Sequence, residues 1–182
     1  MYKNIHKALI GLSFFIPLII YILTMAPTTS FWDCGEFIAT SFILGVPHPP
    51  GAPFYLLLGN IFSSIPSFSD IGARVNLISP IVSACSVMFL YLIIVYLIEE
   101  YRGRSSTIYD SVIIYGSAFT AAMTFAVTDS HWFNAVEAEV YSLSTFFTSI
   151  VVWMILKWNR TGNINWNIRY LLIIVYMLGL AI

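Results

Sequence analysis

This sequence predicts an all-α, polytopic membrane protein, and three observations carry that prediction. Apolar side chains make up 59% of the 182 residues and charged ones only 9%, against roughly 25% charged in an ordinary soluble domain. Mean hydropathy is +0.85. The apolar residues are gathered into long uncharged runs, and in hydrocarbon a chain of this kind satisfies its backbone by forming helices. The same composition excludes other classes. Net charge is -1 and no Lys/Arg stripe exists, so a nucleic-acid partner is not expected. Two cysteines, Cys34 and Cys85, cannot build a disulfide framework.

The elements follow in order. Met1 to Lys7 is a short head with Lys3, His6 and Lys7. A first span is expected over residues 8–26, uncharged and long enough for ~30 Å of hydrocarbon at ~1.5 Å per residue. Pro17 is placed to kink it, and Pro27 ends it. It is too long and too late for an ordinary signal-peptide core, and no small-x-small cleavage site clearly follows, so it reads as a retained span. An outer loop over 27–74 holds two short helices, about 33–44 and 54–65. The second is only ~18 Å long, which suits a short span, a re-entrant piece or an interfacial helix. Further spans are expected at about 75–98, 111–128, 140–156 and 168–182, with an outer turn at 129–139. The last run is cut short at Gly179-Leu180-Ala181-Ile182. The expectation is therefore one transmembrane domain, of which residues 1–182 are the N-terminal part, with the rest of a longer chain beyond.

Charge bias orients it. If residues 54–65 do not cross, then Lys3, Lys7, Arg102, Arg104, Lys157, Arg160 and Arg169 all fall on one side, as the positive-inside rule asks. The N-terminus is then cytoplasmic. Asp33, Glu36, Asp70, Asp129, Glu137 and Glu139 fall on the outer side, where Arg74 is the lone basic residue. The tryptophans and basic residues of 157–169 suit interfacial anchors.

Polar chemistry has few places to sit in such a chain. The densest is Thr28–Pro53, T-T-S-F-W-D-C-G-E-F-I-A-T-S-F-I-L-G-V-P-H-P-P-G-A-P. Asp33 and Glu36 are i and i+3, on one face if helical. One carboxylate there could take a proton from a hydroxyl as general base, or both could hold a divalent cation, although two ligands are few for a metal. The structural alternative is a capping box, Asp33 at the N-cap and Glu36 at N3. His48 could face these acids and bind a phosphate or sugar, or simply sit on a rigid elbow made by Pro49, Pro50 and Gly51. A third stretch, T-D-S-H-W-F-N-A-V-E-A-E-V-Y, places Asp129, His131, Glu137 and Glu139 together as candidate substrate-binding residues. The alternative is a helix start with caps and an aromatic belt. Acids near hydrocarbon are costly unless paired or wet, and Arg74 is a candidate counter-charge. His6, His48 and His131 are too scattered for a zinc site. No phosphate-binding loop, dinucleotide glycine pattern or H-E-x-x-H occurs.

Three pieces in order, A-P-T-T-S-F-W-D-C-G-E-F-I-A-T, G-V-P-H-P-P-G-A-P and D-S-H-W-F-N-A-V-E-A-E-V-Y-S-L, resemble a family of bacterial multi-span membrane proteins. Its animal relatives are protein O-mannosyltransferase-like transmembrane proteins. That family in turn resembles polytopic glycosyltransferases of the GT-C type, which use polyprenyl-phosphate sugars. The resemblance implies a GT-C-like helix bundle in a bacterial inner membrane, with the active site on the outer, periplasmic side. It implies an inverting transfer of a sugar from a polyprenyl-phosphate donor to a hydroxyl acceptor on protein Ser/Thr or glycan. Mannose is suggested by the resemblance alone. Asp33 then matches the catalytic base, with Glu36 as the alternative, His48-Pro49-Pro50 matches the family's His-Pro-Pro segment, and Arg74 matches an arginine opening the next span. Cys34 and Gly35 separate acids that such enzymes often carry side by side, which leaves open which acid is the base. A divalent cation stays open too. The competing class is a non-catalytic membrane subunit or a transporter fragment. It predicts that changes at Asp33 and Glu36 disturb assembly and not turnover.

Overall fold

The computed structural model describes residues 2–181 except Pro50, Arg104 and residues 161–163; for Tyr2, Lys3 and residues 164–167, 180 and 181 it describes backbone alone. The described chain is all-α. The helices are α1 (Tyr2–Thr24), α2 (Cys34–Ile43), α3 (Pro53–Ser64), α4 (Ile71–Asn76), α5 (Ile78–Arg102), α6 (Ile108–Ala126), α7 (Asp129–Ala135), α8 (Val140–Asn159) and α9 (Ile164–Ala181).

Three helical stretches are long and apolar enough to cross a membrane: 4–24, 71–102 and 140–160. A fourth candidate is α6 with α7, which together are long and apolar enough but bend by 67° between their halves. Within α9 the apolar helix is shorter, Ile168–Gly179. The protein is thus a multi-pass membrane protein. Large apolar side chains such as Phe15, Ile19 and Leu23 are exposed along α1, as a lipid-facing helix requires.

Helix α5 is the centre, packed against α1, α6 and α8. Its inward face carries Ser79, Ser83, Ala84, Ser86 and Val87, all buried. The facing side of α6 carries Ala118, Ala122 and Ala126 at helical spacing, also buried. Small residues on both sides let helix backbones approach, which is how helices associate where lipid offers no hydrophobic drive. Tyr21 of α1 is 1% exposed and donates its hydroxyl to Ala126 O at 2.6 Å, so its one polar atom is satisfied inside the bundle.

Polar contacts gather at the two ends. At one end His6 Nδ1 lies 2.9 Å from Tyr91 Oη, and Arg160 pairs with Glu100 at 2.9 Å while stacking over Tyr96. This joins the start of α1 to the C-terminal ends of α5 and α8. At the other end the chain is stitched by main-chain groups. The Ala26 amide donates to Val136 O at 2.8 Å. Asn76, fully buried, donates to Ala26 O and Thr28 O at 2.8 and 2.9 Å. Those bonds hold the turn after α1, the α4–α5 junction and the segment before α8 as one platform.

Candidate functional site

The platform carries a cluster of Asp33, Glu36 and His48. Asp33 stands at the start of α2 but its side chain makes no capping bond, and Glu36 does not reach back to it. The capping-box alternative for this pair is therefore not what the chain adopts. Glu36 is used instead by His48: the His48 amide donates to Oε1 at 2.7 Å, and Nδ1 lies 2.7 Å from Oε2. His48 Nε2 is 3.9 Å from Asp33 Oδ2. The hydrogen bond that His48 donates to the Glu36 carboxylate raises the His48 pKa, with smaller help from the charges of Glu36, Asp33 and Glu139, and the ring and amide hydrogen bonds from His48 lower that of Glu36. One ligand atom from each of Asp33, Glu36 and His48 falls within 4.8 Å of the others. This exposed set, two carboxylate oxygens and one imidazole nitrogen, can coordinate a divalent cation and leaves its remaining positions to water or ligand oxygens.

The local backbone explains how residues twelve apart meet. Helix α2 ends with Leu44 at φ 51°, and the chain doubles back. The Gly51 amide donates to His48 O at 3.1 Å, closing a four-residue turn with Pro49 at a position its fixed φ suits. Gly51 has φ 101°, a region open to glycine. Pro50, the middle of the expected elbow, lies outside the described residues. Ala52 follows at φ 47° and Trp32 precedes Asp33 at φ 56°. Left-handed backbone at non-glycine residues costs on the order of 1 kcal/mol or more and persists only where surroundings fix it; three such residues flank this cluster. Helix α3 then runs alongside α2 in the same direction: Tyr55 rings against Phe37, and Asn60 donates to Ser41 O and Phe42 O.

The segment before α8 forms a second wall. Glu139 is buried, and its pKa is raised to about 7 by desolvation, then by the charges of Glu137 and Asp33. Glu137 is 1% exposed, and its Oε1 has no hydrogen-bond partner among the described residues. Cys34, fully buried, sits between the two walls, with the Ser30 and Ala138 amides against its sulfur and Asn76 Oδ1 at 3.7 Å. Spacing gave no hint of the Cys34 and Asn76 contacts, because the two residues are 42 apart in the sequence and neither belongs to a motif that pairs them.

The other candidates lie apart from this cluster. Among the described residues Arg74 forms no ion pair with the acids and so does not serve as their counter-charge. Its guanidinium donates to Phe68 O, Ser63 O and Ser69 O at 2.6, 3.1 and 3.3 Å, which ties down the turn after α3. Asp129 is exposed in the first turn of α7. His131 is buried, against the rings of Tyr21 and Phe125.

The model of the Protein O-mannosyl-transferase TMEM260 N-terminal domain matches residues 33–182. The chain is 29% identical to the Protein O-mannosyl-transferase tmem260 of Dictyostelium discoideum, over 92% of this chain and 19% of that protein. It is 26% identical to the TMEM260 O-mannosyl-transferase of Mus musculus, over 73% of this chain and 17% of that protein. It thus spans about a fifth of the length of these eukaryotic relatives. No solved structure matches it. A match over most of the chain settles the family: this chain belongs to the family of the Protein O-mannosyl-transferase TMEM260 N-terminal domain.

Proposed function

We propose that this chain forms the first part of a glycosyltransferase that moves a sugar from a polyprenyl-phosphate donor to a hydroxyl acceptor at the outer face of the membrane. The observation that carries the reading is the Asp33–Glu36–His48 cluster, held on a strained loop at the end of the membrane-embedded bundle. The relatives' name, Protein O-mannosyl-transferase, supports mannose as the sugar and protein Ser/Thr as the acceptor, with glycan the alternative. A GT-C-type bundle and a bacterial cytoplasmic membrane, with the cluster on the periplasmic side, belong to the same proposal.

Asp33 is the base. Its carboxylate is 56% exposed, with His48 Nε2 near it at 3.9 Å, whereas Glu36 is held by His48 at 2.7 Å. The acceptor hydroxyl gives its proton to Asp33 as its oxygen bonds the anomeric carbon. The bond from that carbon to the donor phosphate breaks, and the polyprenyl phosphate leaves with the electron pair. One in-line displacement inverts the anomeric centre. Glu36 keeps His48 protonated, so that His48 offsets charge growing on the phosphate. A divalent cation on the same three residues would serve that purpose too. Glu137 and Glu139 orient the acceptor from the second wall. Arg74, Pro49 and Gly51 keep the loop in place; a site loosened by ~1 Å can lose about a hundredfold in rate.

The test is transfer by the full-length protein in lipid nanodiscs, given polyprenyl-phosphate mannose or glucose and a Ser/Thr peptide or an oligosaccharide. A sugar-bearing product of inverted configuration is the expected result. No product from any donor would favour the non-catalytic subunit or transporter reading. Loss of product on chelation, restored by added Mg2+ or Mn2+, would assign the cation.

A further inference from the structure

The end of the bundle opposite the Asp33–Glu36–His48 cluster holds a cavity of about 390 Å³ between α1, α5 and α8. That volume falls within the ~300–1,000 Å³ usual for sites that take small ligands. Its walls are stripes at helical spacing. On α5, Leu92, Tyr96 and Glu99 follow at i, i+4 and i+7, and on α8, Trp153, Lys157 and Arg160 do the same. Both stripes run from apolar to charged towards the C-terminal ends of their helices, over ~10 Å at ~1.5 Å per residue. Lys7, Arg102, Lys157 and Arg160 gather at this end, which the positive-inside rule makes the cytoplasmic one.

The charged groups here are held in place and mixed in sign. Arg160 Nε and Nη2 donate to Glu100 Oε2 at 3.3 and 2.9 Å, and the guanidinium lies over the Tyr96 ring at 3.9 Å. Its Nη1 stands 3.8 Å from Glu99 Oε2, too far for a hydrogen bond. Glu99 accepts the Tyr115 hydroxyl on its other oxygen at 3.3 Å, and its side chain is only 16% exposed. Lys157 Nζ sits over Trp153, 4.6 Å from the ring centroid, and Phe89 packs against that ring. His6, bonded to Tyr91, stacks on Tyr115 and closes the third side. A shielded acid beside hydrocarbon is costly unless it is paired; Arg160 Nη1 approaches Glu99 without closing on it.

The signs of these groups select the ligand. Two bases and two acids meet at the mouth, so a purely anionic headgroup would be repelled by Glu99 as it is drawn by Lys157 and Arg160. A headgroup with a phosphate and a primary ammonium matches both signs. A trimethylammonium has no N–H to donate to Glu99. Leu92, Val95 and Trp153 lie one to two turns deeper and lead an acyl chain into the bilayer. We propose that this groove seats one ethanolamine phospholipid of the cytoplasmic leaflet, its phosphate on Lys157 and Arg160 Nη1 and its ammonium on Glu99. Basic pockets between spanning helices hold lipid headgroups in this way; the acid within this one adds the choice of headgroup.

The test is native mass spectrometry of the full-length protein titrated with phosphatidylethanolamine, phosphatidylglycerol and phosphatidylcholine of identical acyl chains. One ethanolamine lipid should be held about tenfold more tightly than the choline lipid, as one hydrogen bond to a charged group allows. Glu99→Gln should erase that preference, and Lys157→Gln should weaken both lipids alike. Equal binding of ethanolamine and choline lipids by the parent, or a preference that both variants keep, would overturn the proposal. Tightest binding of phosphatidylglycerol would make this a plain anion site and overturn it too, as would soluble phosphoethanolamine binding as well as the lipid does. A second measurement needs no variant: a phosphatidylethanolamine with a diazirine at the top of one acyl chain, photolysed with the parent in nanodiscs, should label residues 92–99 or 153–160. Labelling confined to other residues, as when the remaining chain fills the groove, overturns the proposal.

Discussion

His48 closes on Glu36 twice, through its amide and through Nδ1, each at 2.7 Å. The contact is what turns a Pro-rich loop into part of an acidic site. It also has a pH window. The His48 pKa is raised from 6.5 by its hydrogen bond to Glu36, so its contribution is full below about 6.5 and fades as pH rises through the raised value. The Glu36 pKa is lowered from 4.5, so its contribution is full above about 4.5 and fades as pH falls through the lowered value. The ion pair is thus complete between those two reference values. NMR titration of the His48 ring should give a midpoint above 6.5 that drops in Glu36→Gln and weakens with salt, since both groups are exposed. An unchanged midpoint in Glu36→Gln would deny the coupling.

Glu139 works in the opposite sense. Burial, with the charges of Glu137 and Asp33, holds its pKa near 7, above the usual 4.5. Between these values the folded protein holds more protons than the unfolded one, so stability falls as pH rises from about 4.5 to about 7. Above that range the cost is constant. Thermal unfolding in nanodiscs should show Glu139→Gln to be more stable than the parent at pH 8, with the gap narrowing towards pH 4.5. A gap that widens on acidification would refute this sign.

Gly59 marks where α3 meets α2. A Cβ built there would stand 2.6 Å from Ser41 Cβ and closer still to Ser41 Oγ. Neither helix can yield without disturbing Asn60, which caps α2. Gly59→Ala should cost about 1–3 kcal/mol as an overpacked contact, read as a lower unfolding temperature, and should loosen His48 in the same NMR spectra. Gly116, with open space around it, is the control: Gly116→Ala should be neutral or slightly stabilising.

Part of this was legible in the sequence. Composition and long uncharged runs declare an all-α multi-pass protein, because hydrocarbon leaves a chain few other options. Residues 26–145 declare the family through ordered motifs. The site geometry was less open to reading. The i, i+3 spacing of Asp33 and Glu36 suits a capping box as well as a site, and what separates the two is the return of His48, set by left-handed residues at Leu44 and Ala52 that no composition announces. Arg74 looked like a partner for the outer acids by charge alone, but carbonyls at the end of α3 and in the turn after it, Ser63, Phe68 and Ser69, take its donors. Asp129 and His131 lie near Glu137 in sequence, yet α7 turns His131 into the aromatic core beside Tyr21.

The most direct test of the central claim is transfer by Asp33→Asn and Glu36→Gln in the full-length protein, with donor binding measured alongside. If Asp33 accepts the acceptor's proton, Asp33→Asn should lose about two to four decades of turnover while binding the polyprenyl-phosphate sugar as the parent does, and Glu36→Gln should lose less. Normal transfer by both variants would contradict the account and leave the Asp33–Glu36–His48 cluster a structural tie of the outer loop.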